Sequence, residues 1–284
     1  MKCSLCSGEC VSKGSYLVLA KYEARIAQCQ DCGYTFALDP GWLGEAYSSP
    51  MTTVDMGPLN RCIGQASVTK ILIELFHDRH EQCLDFGGGY GLFVRRMRDL
   101  GYHFFWYDTH CSNLFAKGFE GEFNGSQRYE MITAFEVLEH LVSPGALLRR
   151  ILGSCDSFLF STELLPEPFP EFDQWWYFGP EHGQHVSFYS LKSLSKLAEA
   201  VGKRLVTDGS QLHLITSKRI SDRLFRIVTK PKLATLFEYI RPRESFLLSD
   251  FDAGRRRALQ QQGATLASPA AQKPVQMRDL TAQR

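Results

Sequence analysis

Asp85-Phe86-Gly87-Gly88-Gly89-Tyr90-Gly91 follows the apolar pair Cys83-Leu84 and precedes Leu92, Phe93, Met97 and Leu100, which recur at helical spacing. The glycine turn therefore joins a short buried strand, Cys83–Phe86, to a helix that Gly101 can terminate. Glycines at such a junction let the main chain approach a ligand closely and adopt conformations that a Cβ forbids. Phe104–Tyr107 reads as the next strand and ends at Asp108. In an open α/β sheet, ligands bind in the crevice at the carboxyl ends of the strands, where an acid about 20 residues beyond the glycines can accept ribose hydroxyls.

Working outward, the same alternation continues. Before the turn, Val68, Ile71, Leu72, Leu75 and Phe76 share a helical face that begins near Gly64. After it, Tyr129–Phe135 reads as a strand, Gly145–Leu152 as a helix and Ser157–Leu165 as a strand, followed by an aromatic, Pro-rich loop through Pro180. Ser190 can cap a helix bearing Leu191, Leu194, Leu197 and Val201, closed by Gly202, and Arg204–Thr207 and Leu212–Ser217 supply two last strands. Alternating strands and helices imply an open, mainly parallel α/β sheet, with an antiparallel edge from the final pair. There is no internal repeat.

A dinucleotide-binding turn would need a small residue at position 92, where Leu92 stands. The acid-x-Gly-x-Gly-x-Gly pattern instead resembles the S-adenosylmethionine loop of class I methyltransferases. A second stretch, Tyr129-Glu-Met-Ile-Thr-Ala-Phe-Glu-Val-Leu-Glu-His-Leu141 followed by Pro144, resembles that family's fourth-strand segment. The resemblance covers about residues 64–217. It implies a Rossmann-like fold, with a mostly parallel seven-stranded sheet and an antiparallel edge. It also implies S-adenosyl-L-methionine held by Asp85, Gly87, Gly88, Gly89, Tyr90, Gly91, Asp108, Thr109, Phe135 and Glu136, with Phe119 or Glu120 near the adenine. No Asn/Asp-Pro-Pro-Tyr/Phe motif follows the fourth strand, which disfavours the nucleic-acid amino-methylases that use it.

The N-terminus carries Cys3-x2-Cys6 and Cys29-x2-Cys32. Two such turns can place four thiolates tetrahedrally on one Zn2+, a closed and therefore structural site. The competing reading is free buried thiols or a redox pair. Cys10 is a possible spare, and Cys62, Cys83, Cys111 and Cys155 read as core or surface residues. Nine cysteines with two tight pairs fit a reducing compartment, and the expected location is cytoplasmic. The first residues do not read as a signal peptide, and no run is long enough to span a membrane. With 32 Lys+Arg against 31 Asp+Glu, the charge balance gives no reason to expect nucleic acid as partner.

The loop Gln174-Trp-Trp-Tyr-Phe-Gly-Pro-Glu-His-Gly-Gln-His-Val-Ser-Phe-Tyr-Ser190 falls where the family roofs its pocket. Trp175, Trp176, Tyr177 and Phe178 either stack on a sugar ring or nucleobase or pack the loop onto the sheet. His182 and His185 are candidate general bases, and His140 either caps a helix or faces the acceptor. Gln184-His-Val-Ser-Phe-Tyr-Ser190 resembles a segment of the sugar C-methyltransferases, with His185 at the matching histidine and Gly183 and Gln184 replacing the family's first His and Glu. The whole loop resembles those of small bacterial methyltransferases of polysaccharide and glycan biosynthesis.

Beyond the sheet, Ile220, Leu224, Ile227 and Val228 follow a helical period, with Arg219, Arg223, Arg226 and Lys230 opposite. Such a basic face is either solvated or a peripheral contact for a membrane or a phosphate-bearing partner. The organisation expected is a zinc-binding module at 1–40, a linker or lid at 41–63, a methyltransferase domain at 64–218, a helical extension at 219–262 and a disordered tail at 263–284. The expected activity is methyl transfer to a small polar acceptor of the nucleotide-linked or glycan sugar class. The alternatives are an RNA methyltransferase docking RNA through the zinc module and a non-catalytic cofactor-binding scaffold.

Overall fold

A computed structural model describes residues 1–48 and 55–261. Met1–Ser245 forms one compact unit, and a second begins at Phe246. The chain opens with strands β1 (Cys10–Val18), β2 (Tyr22–Cys29) and β3 (Thr35–Ala37) and a short helix α1 (Leu43–Ala46). Then come α2 (Pro58–Phe76), β4 (Cys83–Phe86), α3 (Leu92–Asp99), β5 (Phe104–Tyr107), β6 (Tyr129–Ala134), α4 (Gly145–Gly153) and β7 (Cys155–Ser161). The unit ends with β8 (Ser187–Phe188), α5 (Leu191–Glu199), β9 (Arg204–Thr207), β10 (Leu212–Thr216), α6 (Asp222–Val228) and α7 (Pro231–Ile240). The second unit contributes helix α8 (Leu247–Gln261).

The central sheet has the order β5-β4-β6-β7-β10-β9. β4 is parallel to both β5 and β6, β6 is parallel to β7, and β10 is antiparallel to β7 and β9. Alternating side chains feed two separate cores. Leu84, Ile132, Phe158, Phe160 and Ile215 face Leu148, Ile151 and Leu152 of α4 and Leu194 and Leu197 of α5. Cys83, Met131, Leu159 and Leu214 face Ala66, Ile71 and Leu72 of α2 and Phe93, Val94 and Met97 of α3. β5 and β6 flank β4 on opposite sides, so the chain reverses direction across the sheet there. A crevice at the carboxyl end of β4 follows from that reversal.

Several expectations need correction. Among the described residues the sheet has six strands rather than seven. The stretch leading to Glu120 contributes only a single parallel bridge, Trp106 to Glu120. Asn113 competes for the backbone there: its amide donates to the Ala116 carbonyl and to Glu120, and its oxygen accepts the Ala116 N–H. The expected linker at 41–63 is partly helical, since α2 starts at Pro58, whose missing N–H suits the first helical position. Residues 49–54 of that linker, and the expected tail at 263–284, lie outside the described residues. In α6 the buried face is Phe225 and Val228, joined by the preceding Ile220, whereas Leu224 and Ile227 are exposed. Among the described residues no helix is long and apolar enough to cross a membrane.

The N-terminal strands form a second sheet of order β1-β2-β3-β8. Its last strand comes from the aromatic loop more than a hundred residues on, with Thr35 opposite Phe188 and Phe36 opposite Ser187. Ser190 caps α5 as expected, in a reciprocal box with Ser193.

Candidate functional site

The glycine turn is built from its neighbours' side chains. Gly87 and Gly88 both donate to the Tyr107 carbonyl, at 2.8 and 3.2 Å, which folds the turn over the end of β5. The Gly89 N–H donates to Asp108 Oδ2 at 2.9 Å, while Asp108 Oδ1 accepts from the His110 and Cys111 N–H groups at 2.6 and 2.8 Å. A carboxylate offers about four lone-pair sites, so Asp108 keeps one for an incoming hydroxyl. Gly87 adopts φ +70°, and a Cβ there would lie 2.6 Å from Val137. Gly89, at φ +53°, is different: a Cβ would meet nothing within 4 Å, so this face of the turn is bare.

Asp85 sits beneath the turn, buried at the end of β4, and accepts a 2.7 Å hydrogen bond from Thr133 on the neighbouring strand. Burial, with the Asp108 charge adding to it and the Thr133 bond opposing it, pushes its carboxyl up to about 7. Of the other expected ligand contacts, Thr109 is exposed beside Asp108, and Tyr90 accepts the Leu114 and Phe115 N–H groups on its carbonyl. Phe119 lies under the Arg98 guanidinium at 3.6 Å, and Glu120 is tied to Asn113 and the Gly118 N–H. The Phe135 ring packs edge-on against Phe93. These groups are therefore engaged locally, whereas Gly89 and Asp108 face open space or hold spare capacity.

From β6 the chain turns through Glu136, at φ +54°, into a 3-10 turn at Leu138–His140. Ser161, at the end of β7, clamps that bend by accepting the Glu136 N–H and donating to the Glu136 carboxylate. This segment borders the glycine turn through Val137 and lines a cavity of about 560 Å³ through Glu136, Glu139 and His140. The opposite wall comes from Trp176, Tyr177, Glu181, His182, Gln184 and His185, and Asp55 and Arg61 close one side with a two-fold ion pair at 3.0 and 2.8 Å.

The aromatic run divides in two. Trp175, Tyr177 and Phe178 are buried and pin the loop to the protein, whereas Trp176 is 69% exposed at the cavity and free to stack. The three histidines also differ. His182 Nδ1 accepts the Gln184 N–H at 3.1 Å, so in the neutral ring that nitrogen has no free lone pair. His140 Nδ1 donates to the Gln184 carbonyl at 3.1 Å rather than capping a helix, and His185 Nδ1 donates to the Tyr177 carbonyl at 2.7 Å. A carbonyl can only accept, so both rings carry the proton on Nδ1 and present Nε2 as a lone pair. Burial depresses both: His140 falls to about 4, and His185 lies well below the usual histidine range, helped by the neighbouring His140.

Glu139 escaped the sequence reading. It is fully buried, and neither carboxylate oxygen has a hydrogen-bond partner. Burial, and next the Glu136 charge, hold its carboxyl well above the ordinary range. The Glu-His pair of the Phe135-Glu136-Val137-Leu138-Glu139-His140 stretch was the available signal, but a helix-like turn usually sends such a carboxylate to solvent.

At the far end of the N-terminal sheet, Cys3, Cys6, Cys29 and Cys32 bring their sulfurs within 4.8 Å of one another. The Cys3–Cys32 and Cys6–Cys29 distances are 3.7 and 3.5 Å. Four sulfurs at ~2.3 Å from one tetrahedral ion lie ~3.8 Å apart, so the set has the dimensions of a zinc site.

A family profile described as a methyltransferase domain matches residues 63–207, just over half of the sequence. The chain belongs to this methyltransferase-domain family. Three solved structures resemble this one. Human N-acetylserotonin methyltransferase, solved in complex with SAM, is 15% identical over 62% of this methyltransferase and 65% of its own chain, at a TM-score of 0.39. The pyocyanin biosynthetic protein PhzM is 11% identical over 63% and 62%, at 0.44. An O-methyltransferase family protein from Burkholderia thailandensis is 12% identical over 64% and 68%, at 0.40. The match thus spans less than two thirds of the human enzyme and of PhzM. No curated protein matches the methyltransferase.

Proposed function

We propose that the protein transfers a methyl group from S-adenosyl-L-methionine to a small polar acceptor of the nucleotide-linked or glycan sugar class. One observation carries the reading: the glycine turn, bare at Gly89 and with Asp108 beside it, borders through Gly87 the Val137 of the segment whose Glu136, Glu139 and His140 line the polar cavity under the aromatic loop. A donor against the turn and an acceptor in the cavity then meet across that segment.

When bound, S-adenosylmethionine supplies an electrophilic methyl on a sulfonium sulfur. The chain's part is positioning and proton management. Asp108 keeps a lone pair for a ribose hydroxyl, and Asp85 offers a buried carboxylate to the cationic end of the ligand. Trp176 gives a sugar ring an apolar face, and Arg61, Glu136 and Gln184 surround its hydroxyls. His185 is the histidine suited to take the acceptor's proton, because it is neutral and its Nε2 is unprotonated. His182 serves better as a hydrogen-bond donor. The four thiolates would hold a structural Zn2+ with no open position, which cross-links the N-terminal turns.

Incubation with methyl-labelled S-adenosylmethionine and a panel of sugar nucleotides, glycan intermediates and RNA tests the reading. Label in a sugar acceptor is expected, and label in RNA alone would replace the sugar class by the nucleic-acid alternative. No binding of S-adenosylhomocysteine in equilibrium titration would remove the cofactor assignment.

A further inference from the structure

Glu139 is a full carboxylate side chain at 0% exposure with no partner for either oxygen. A buried carboxyl without a well-formed hydrogen bond is rare in a folded protein and calls for an explanation. The hydroxyls of Thr162 and Tyr177, 3.2 Å from each other, lie beside the carboxyl and ease its burial without forming a well-made hydrogen bond to it. What does approach it is a ring nitrogen from His140 and one from His185, the three ligand atoms lying within 4.8 Å of one another. The two rings sit 5.1 Å apart at 71°, so they converge without stacking. Each is fixed by a backbone carbonyl on Nδ1, the outer-shell arrangement that orients metal-binding histidines. Among the described residues that line it, the cavity beyond adds Asp55, Glu136 and Glu181 against the cation Arg61, a surplus of negative charge.

We propose that Glu139, His140 and His185 form a divalent transition-metal site in the wall of the acceptor cavity. One carboxylate and two neutral imidazoles, with further positions open to the cavity, suit Zn2+, Fe2+ or Co2+. The site is separate from the four-cysteine set, which is closed and offers only sulfur. A bound cation favours the ionised form of Glu139, which explains why a carboxyl is kept at a buried position. The purpose of the site rests on the methyl-transfer reading. The open positions take two adjacent oxygens of the acceptor, and the ion acidifies the hydroxyl it holds, whose proton passes to water as the metal–oxygen bond forms. With an ion bound, the His185 lone pair is spent as a ligand, so its role as base is confined to the metal-free protein.

The test uses the full chain with Zn2+ loaded in the cysteine set, titrated with Co2+ and followed by equilibrium dialysis and visible absorption. The expected result is one further equivalent of Co2+ with weak d–d bands and no thiolate charge-transfer band. Glu139→Gln and His185→Ala should each weaken that binding by at least the ~10–100-fold that loss of an outer-shell partner costs. Glu139→Gln keeps the size and shape of a carboxyl that burial holds neutral, so it is expected to fold and to melt close to the metal-free parent. S-adenosylhomocysteine binding, measured on the same samples, should be retained. Equal Co2+ affinity in Glu139→Gln, absence of the extra equivalent, or a thiolate band alone would overturn the site. Co2+ bound as described by a protein that ignores S-adenosylhomocysteine would leave the site standing and remove the methyl-transfer reading instead.

Discussion

Asp85 holds its proton to an unusually high pH for a carboxyl because it is enclosed between β4 and the glycine turn and faces the Asp108 charge. Between the ordinary value of 3.8 and about 7 the folded chain keeps a proton that the unfolded chain has lost. Stability from this group is therefore greatest at low pH and declines as pH rises through that window. Asp85→Asn should accordingly stabilise the ligand-free protein by roughly 1–4 kcal/mol at pH 8, seen as a higher melting temperature. A cationic ligand reverses the balance by favouring the carboxylate. Affinity for S-adenosylhomocysteine should thus fall by up to about tenfold per pH unit below 7, and titration calorimetry from pH 5.5 to 8 checks it. A flat profile in the parent protein would show that Asp85 does not touch the ligand's amine. Gly89→Ala separates ligand space from fold in the same way. Its Cβ meets no protein atom, so only the left-handed backbone costs stability, about 1–3 kcal/mol, while S-adenosylhomocysteine affinity should drop more than tenfold.

The elements around the site show why some of it was legible in the sequence. The glycine turn, Asp108 and the paired cysteines are local patterns: their spacing is their geometry, and the main chain sets both. The capping of α5 by Ser190 was readable for the same reason. Glu139, the single-bridge remnant of the third strand and the pairing of β8 with β3 were not, because each depends on packing between distant segments. The aromatic run is the mixed case, in which composition signalled a loop that packs but could not say which ring stays outside. That division is testable. Trp176→Ala should change stability by under ~0.5 kcal/mol, as for an exposed position, yet raise the acceptor KM several-fold with little effect on kcat. Phe178→Ala, two residues on and fully buried, should cost ~3–5 kcal/mol. Melting curves and steady-state kinetics on the two variants distinguish platform from anchor.

Across the whole unit, the N-terminal sheet is the support of the aromatic loop. The Ser190 hydroxyl donates to the Cys32 carbonyl at 2.7 Å, so the cap of α5 rests on the second cysteine turn. Ser187 spends its proton on the Leu141 carbonyl, so the Tyr34 hydroxyl must donate to Ser187, at 2.7 Å. Nearer the histidines, Trp42 Nε1 donates to the Gly183 carbonyl and the Gln184 amide to the Ala46 carbonyl, both at 2.8 Å. His182 and His185 thus hang between contacts that begin at the cysteine set. Structural zinc sites contribute ~10–16 kcal/mol to folding in small domains, and a Zn2+ held as proposed by the four cysteines would couple only part of that to the core of this larger unit. Chelation with a strong zinc ligand, or Cys32→Ser, is expected to lower the melting temperature by roughly 10 °C, equivalent to about 4 kcal/mol. Methyl transfer should fall further than S-adenosylhomocysteine binding, because the glycine turn is carried by β4 and α3 and not by the N-terminal sheet. Equal loss of both, measured at a temperature where the chelated protein is still folded, would mean that the cysteine set supports the fold as a whole rather than the loop.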